Sequence, residues 1–222
     1  MLTIVSFIFM LFCVKKVILK LLYQTEMRVW YNEGMENVKI LAIVGMSGSG
    51  KSVIVDYLTS KGYPKVYFGG MIYKEMEKRG IERTPDGESE KKFREEIRET
   101  EGKDWVVRQV IAETRDLISA GQKRIVLDGV YSWTEYCTLK REFPKALTFL
   151  AVVVDKKIRY ERVAVRPGRA FDANAIRERD RSEIENLEKG GPIAAADYYV
   201  LNNGSVEELE EATAKILKEI EF

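Results

Sequence analysis

LAIVGMSGSGKSVIVDYL, residues 41–58, decides the fold. A nearly continuous apolar run, Lys39–Val44, reads as a strand buried on both faces. It passes into Gly45-Met46-Ser47-Gly48-Ser49-Gly50-Lys51-Ser52, and Ser52–Ser60 then reads as a helix. The middle segment fits the phosphate-binding pattern G-x-x-x-x-G-K-[ST], and the flanking strand and helix supply the context that pattern requires. Each residue type has a physical task. Glycines let the backbone turn its N–H groups inward around phosphate oxygens. The helix adds its positive dipole end. Lys51 is placed to reach the β- and γ-phosphates of ATP, and the Ser52 hydroxyl to ligate Mg²⁺. Gly45 through Ser52 are thus the expected nucleotide-binding residues.

Working outward, apolar runs of strand length alternate with helical patterns. Strands are expected at 65–68, 124–128, 147–155 and 197–202. Helices are expected at 71–79, 89–100, 103–120, 133–142 and 156–165, in a long polar stretch capped by Asp172 and running to Lys189, and after the cap Ser205. Strands separated by helices predict a three-layer α/β/α fold of the P-loop NTPase kind, with five parallel strands and a short arginine-bearing lid.

Asp128 ends the third strand in "IVLDG", on the sheet edge where open α/β folds bind ligands. It is a candidate to hold the Mg²⁺ shell or to take a proton from an attacking hydroxyl; a plain Asp-Gly turn is the simpler alternative. Arg162 and Arg166 share a helix face, ahead of the "RPGR" break that carries Arg169. They are candidates to close over a transferring phosphoryl group, whose equatorial oxygens need cations. For Arg177 and Arg179, the interleaved Glu178, Asp180 and Glu183 favour a solvated helix. Arg94 and Arg98, again four apart, are candidates for an acceptor's anionic group, with a salt-bridged surface beside Glu95, Glu96 and Glu99 as the alternative.

Composition narrows the chemistry. The 222 residues carry a net charge of +1, so bulk electrostatics gives no draw to nucleic acid. Histidine is absent, which excludes histidine triads, HExxH zinc sites and imidazole bases. Cys13 and Cys137 have no metal-ligand spacing and read as reduced thiols. Residues 1–34 look foreign to the domain expected over 35–222. "MLTIVSFIFMLFCV" is uncharged but short of the roughly 20 residues that span a bilayer. It reads as an extra helix, a weak membrane anchor or the product of an upstream start before Met35. The chain is therefore expected in the cytoplasm, membrane-associated only if that segment is an anchor. No Asn-Lys-x-Asp guanine motif and no Leu-Ser-Gly-Gly-Gln stretch occurs.

At these residues the chain resembles the P-loop nucleoside monophosphate kinase group, which includes adenylate kinase and dephospho-coenzyme A kinase. "GMSGSGKS" carries the likeness most strongly, and "VLDG" (126–129) resembles the Asp-Gly of nucleotide kinases. "ERVAVR" (161–166) is similar to the start of their lid, which implies that Arg162 stacks near adenine and Arg166 holds phosphates. "AADYYVLNNGSVEEL" (195–209) resembles the dephospho-coenzyme A kinase ending, which implies a loop at Asn203–Gly204 beside adenine. "REEIRETEGKDWVVRQVI" (94–111) looks like a prokaryotic branch described as kinase-like. The acceptor side departs from the group. Gly70 and Tyr73 stand where adenylate kinases carry an acid and an arginine, and Ser132 stands where nucleotide kinases carry another arginine. The Asp-x-Asp and His-Pro motifs of dephospho-coenzyme A kinases are missing. Tyr67, Tyr73, Tyr131, Trp133 and Tyr136 either line a more aromatic acceptor pocket or are ordinary packing. The expectation is ATP- and Mg²⁺-dependent phosphoryl transfer to a small nucleotide-like metabolite, dephospho-coenzyme A included. The rival expectation is a nucleotide-binding regulator that hydrolyses ATP slowly.

Overall fold

The computed structural model describes residues 35–84, 87–165 and 172–222. The chain divides into two units, Met1–Val38 and Lys39–Phe222, and every element below belongs to the second. The expectation for residues 1–34 lies outside the described residues, as do those for Arg166 and Arg169 and hence for the lid they were to carry. Among the described residues no helix is long and apolar enough to cross a membrane.

Five strands, β1 (Lys39–Val44), β2 (Lys65–Tyr67), β3 (Arg124–Asp128), β4 (Leu147–Val153) and β5 (Tyr198–Leu201), form one sheet in the order β2-β3-β1-β4-β5. All four pairings are parallel. The helices are α1 (Lys51–Ser60), α2 (Phe68–Lys78), α3 (Glu88–Thr100), α4 (Trp105–Ser119), α5 (Trp133–Glu142), α6 (Lys156–Ala164), α7 (Ala173–Glu185), α8 (Gly190–Ala194) and α9 (Val206–Glu219). The architecture is the expected α/β P-loop kinase fold.

The period of two along a strand explains both faces of the sheet. Leu41, Ile43, Val126, Leu150 and Val152 meet Ile54 and Leu58 of α1 and Leu209 and Leu217 of α9 in one buried cluster. The alternate residues Ile40, Ala42, Ile125, Leu127 and Phe149 are equally buried, toward the other layer. Each large aliphatic side chain removed from water contributes about 1.5–3 kcal/mol. The register sets Ile43 of β1 against Asp128 of β3, so the loop after β1 and the carboxylate ending β3 emerge side by side.

Three local expectations are corrected. The second strand stops at Tyr67, and α2 starts at Phe68 rather than Met71. Glycine costs about 1 kcal/mol in a helix, yet a Cβ at Gly69 would lie 2.5 Å from the Tyr67 hydroxyl. The glycine pair lets that ring lie across the first turn. The fourth strand ends at Val153, before the turn that leads into α6. The polar helix capped by Asp172 ends at Glu185, not Lys189. There Glu188 takes a left-handed backbone (φ 54°), and the short α8 follows.

Ser205 does cap α9, in a reciprocal box. Its Oγ accepts from the Glu208 amide at 3.2 Å, and Glu208 Oε2 accepts from the Ser205 amide at 2.9 Å. Ser205→Ala is expected to cost about 1 kcal/mol, lowering Tm by roughly 2–4 °C. Thermal denaturation checks this, and an unchanged Tm would make the box irrelevant to α9.

Candidate functional site

Gly45–Ser52 connects β1 to α1, and packing explains its glycines. A Cβ on Gly45 (φ 149°) would meet the Val152 carbonyl oxygen of β4 at 2.5 Å. Gly50 (φ 100°) is the N-cap of α1, with a backbone no L side chain favours, and Asn202 fills the space beside it. No side chain caps α1 and its first turn carries no acid, so its leading amides remain available to an anion. Lys51 folds back over the loop, Nζ donating to the Gly45 and Met46 carbonyls at 2.8 and 2.9 Å. Burial, reinforced by the charge of Lys189, pushes its ammonium down to about 7. An anion at the loop would restore its charge. Ser49 Oγ is buried without a hydrogen-bond partner, so the loop also holds an unspent hydroxyl.

Ser52 is exposed at the start of α1, and Asp128 is half-buried at the end of β3. Burial raises the Asp128 carboxyl, opposed by the charges of Lys65 and Lys51. A hydroxyl and a carboxylate are hard oxygen donors of the kind Mg²⁺ takes, with phosphate oxygens and water for the rest of its shell. Among the described residues no group of three or more acidic or thiol side chains forms a separate metal site.

The loop is tied to the C-terminal third of the chain. Asn202, buried at the end of β5, donates from Nδ2 to the Ser49 carbonyl at 2.8 Å. Arg162 donates to the carbonyls of Asn202 and Gly204 at 2.7 and 2.8 Å, and so lies against the loop before α9. Asn203 Oδ1 accepts from the Asp155 amide at 2.9 Å. Arg159 is almost buried; it donates to the Ser47 carbonyl at 3.0 Å and to Asp180 Oδ1 at 2.8 Å, and Asp180 raises its pKa.

Beside the loop opens a cavity of about 1000 Å³. Arg94 and Arg98 of α3 line it, and the charge of Arg98 acts on the buried Glu135 carboxyl. Arg83 and Lys103 add charge, and Tyr67, Tyr73, Tyr131 and Trp105 add rings. The five aromatics noted in the sequence therefore divide. Tyr67, Tyr73 and Tyr131 face the cavity, whereas Trp133 stacks on Tyr136 at 4.9 Å and Tyr136 packs on Phe149. Ser132, in place of an arginine, is the N-cap of α5 in a box with Glu135, whose Oε2 takes the Tyr131 and Ser132 amides at 2.8 and 2.9 Å.

The solvated reading of α7 is corrected for Asp180 and Glu183, while Arg179 stays exposed and pairs with Glu183 on the same helix. Asp180 pairs with Arg159, while Arg179 and Glu183 line the cavity. Glu183 Oε2 accepts from the Ser47 amide at 3.0 Å and from Lys189 Nζ at 2.9 Å. Lys189 is buried, 4.4 Å from the Tyr131 ring centroid. Burial raises the Glu183 carboxyl, but Lys189, the Ser47 amide and Arg179 outweigh it and leave the net shift downward. Burial lowers Lys189 in turn, against the opposing pull of Glu183. Sequence reasoning passed over Lys189 and Asn202. The first sits in a charged stretch beside two glycines, and the second is one of two adjacent asparagines.

Proteins from Thermococcus kodakarensis and Methanosarcina barkeri, each called UPF0200 protein, are 36% and 32% identical to this chain. The matches cover 82% and 81% of it, and 97% and 95% of those proteins. The family described as AAA domain matches residues 41–187. The chain belongs to the AAA domain and UPF0200 families. In three dimensions this UPF0200 chain is similar to a sugar kinase from Janibacter sp. HTCC2649, with TM-score 0.50 and 17% identity over 82% of this chain and 95% of that one. It is also similar to a shikimate kinase from Bacteroides thetaiotaomicron, with TM-score 0.51 and 10% identity over 83% and 99%. At such identities the likeness shows the fold alone. That fold is the α/β P-loop kinase fold, and the likeness does not single out the nucleoside monophosphate kinase group.

Proposed function

We propose that the chain is an ATP- and Mg²⁺-dependent kinase of a small, anionic, nucleotide-like metabolite. One observation carries this reading: the Gly45–Ser52 loop, with Lys51 folded over it, meets through Glu183 a cavity of about 1000 Å³ lined by more cations than acids and by aromatic rings. Cations suit an acceptor that bears phosphate or carboxylate, and rings suit a flat base. The loop amides and Lys51 bind the β- and γ-phosphates of ATP. Ser52 and Asp128 would hold Mg²⁺, which supplies charge neutralisation at the transferring group. Asp128 is also proposed to accept the proton of an attacking hydroxyl. Arg162, with Arg166, is proposed to act beside the adenine and phosphates, and Asn203 to border the adenine. Arg94 and Arg98 clamp the acceptor, with Tyr73 against its flat part. A nucleotide-binding regulator with slow hydrolysis is the second reading. It is favoured by Gly70, Tyr73 and Ser132 standing where nucleotide kinases carry acceptor residues.

The test is ADP production from Mg-ATP, alone and with nucleoside monophosphates, dephospho-coenzyme A and hydroxylated carboxylic acids. The expected result is stimulation by one acceptor, with phosphate recovered on it. ATP hydrolysis indifferent to every acceptor would favour the regulator. With the acceptor in hand, Arg94→Ala/Arg98→Ala is expected to raise its KM at least about tenfold, since each charged hydrogen bond contributes about 1.5–3 kcal/mol. The KM for ATP should stay put. An unchanged acceptor KM would remove α3 from the site.

A further inference from the structure

The contact between Glu183 and Ser47 joins two functional parts with opposite needs. Ser47 lies in the loop whose amides are there to hold phosphate, and a carboxylate of this same chain takes one of them at 3.0 Å. The other partners of that carboxylate are cations: Lys189 Nζ at 2.9 Å from Oε2 and Arg179 Nε at 3.4 Å from Oε1. One inward amide, one ammonium and one guanidinium around an anion form the donor set that a phosphoryl group requires. Glu183, Lys189 and Arg179 all line the cavity, so this anion position stands between the loop and the space for the acceptor.

The local charge points the same way. Lys189 has the largest effect of any single charge on Lys51, and both ammonium groups are depressed by burial. The Glu183 charge acts on Lys51 and Lys189 and pairs with Arg179, with Asp128 also acting on Lys51 and Asp180 on Lys189. A buried ion pair contributes little net stability compared with apolar packing of the same size. The pair therefore has no evident value to the fold alone, whereas a triphosphate would satisfy all three cations.

Resting on the kinase reading above, we infer that Glu183 holds the position of a phosphoryl group in the nucleotide-free protein, and that Lys189 and Arg179 are catalytic cations which pass from Glu183 to the transferring phosphoryl group when ATP binds. No covalent step is added. One anion replaces another on a fixed donor set, and Lys51 holds the phosphates from the loop side while Lys189 and Arg179 hold them from the cavity side.

The experiment is calorimetric titration of the full chain with ATP, ADP and AMP in Mg²⁺, using wild type, Lys51→Met, Glu183→Gln, Lys189→Met and Lys189→Arg. Removing the competing carboxylate is expected to tighten ATP roughly tenfold and to leave AMP unchanged. Lys189→Met is expected to weaken ATP roughly tenfold, and Lys189→Arg to restore most of that loss. A purely structural pair would shift ATP, ADP and AMP together. If wild type binds ATP through Lys51 but Glu183→Gln binds it no more tightly, the inference falls and the kinase reading stands. If wild type binds no ATP and Glu183→Gln does, the inference is supported. If neither binds, both fall. Should Glu183→Gln fail to fold, Glu183→Gln/Lys189→Met removes both charges of the pair. It must bind ATP about tenfold more tightly than Lys189→Met, and equal affinities overturn the inference.

Discussion

Lys51→Met is expected to cut ATP-dependent turnover by roughly a hundred- to a thousandfold, the usual effect of removing one preorganised donor from a developing charge. The same substitution should leave Tm unchanged or slightly raised. Lys51 is largely buried, its ammonium is pushed down to about 7, and its hydrogen bonds end on two loop carbonyls. In the empty protein its charge is therefore a burden to the fold, and a thioether of similar length fills the space without it. Activity and stability thus move in opposite directions. A coupled ADP assay and a thermal melt on the same preparation check both signs. An undiminished rate would remove the loop from the mechanism. A large fall in Tm would make Lys51 a structural residue whose loss of activity means nothing about phosphate.

Gly45→Ala is expected to damage the fold itself. Its backbone sits at φ 149°, and a Cβ would lie 2.5 Å from the Val152 carbonyl oxygen and 2.6 Å from Ser49 Oγ. Neither neighbour is free to move. Val152 belongs to the interior strand β4, and Ser49 is buried within the loop. Backbone strain of this kind costs about 1–3 kcal/mol, and forcing a methyl into packed surroundings costs about 1–3 kcal/mol more. A loss of about 2–6 kcal/mol follows from those two ranges, enough to lower Tm by roughly 5–20 °C. Nucleotide affinity should fall with it, because the loop can accommodate the methyl only by pulling away from β4. Urea denaturation and nucleotide titration measure the two losses. Full stability in this variant would show that β4 does not confine the loop.

The sheet, its five strands and the position of the loop were legible because they rest on local signals. A strand buried on both faces reads as an apolar run, as Lys39–Val44 does, and G-x-x-x-x-G-K-[ST] is contiguous in the chain. Asp128 was legible for a related reason: it ends a recognisable strand, and parallel sheets put strand ends on one edge. Caps were legible too, since Asp172 and Ser205 act within three residues of themselves. The break of the polar helix after Glu185 was not. Nothing local in "NLEKGG" separates a solvated turn from one that carries a lysine into the interior.

From the sequence alone it follows that a strand runs into a glycine loop carrying Lys51, that the sheet is parallel, and that histidine chemistry is excluded. Only the tertiary structure decided what surrounds that loop. Asn202 grips the Ser49 carbonyl, and Arg159 the Ser47 carbonyl, from positions 153 and 112 residues away in the chain. Glu183 takes the Ser47 amide from 136 residues away. Hydrophobic periodicity reports which face of an element is buried. It is silent about which buried or half-buried charge meets which, because that pairing is set by the order in which the sheet stacks its strands.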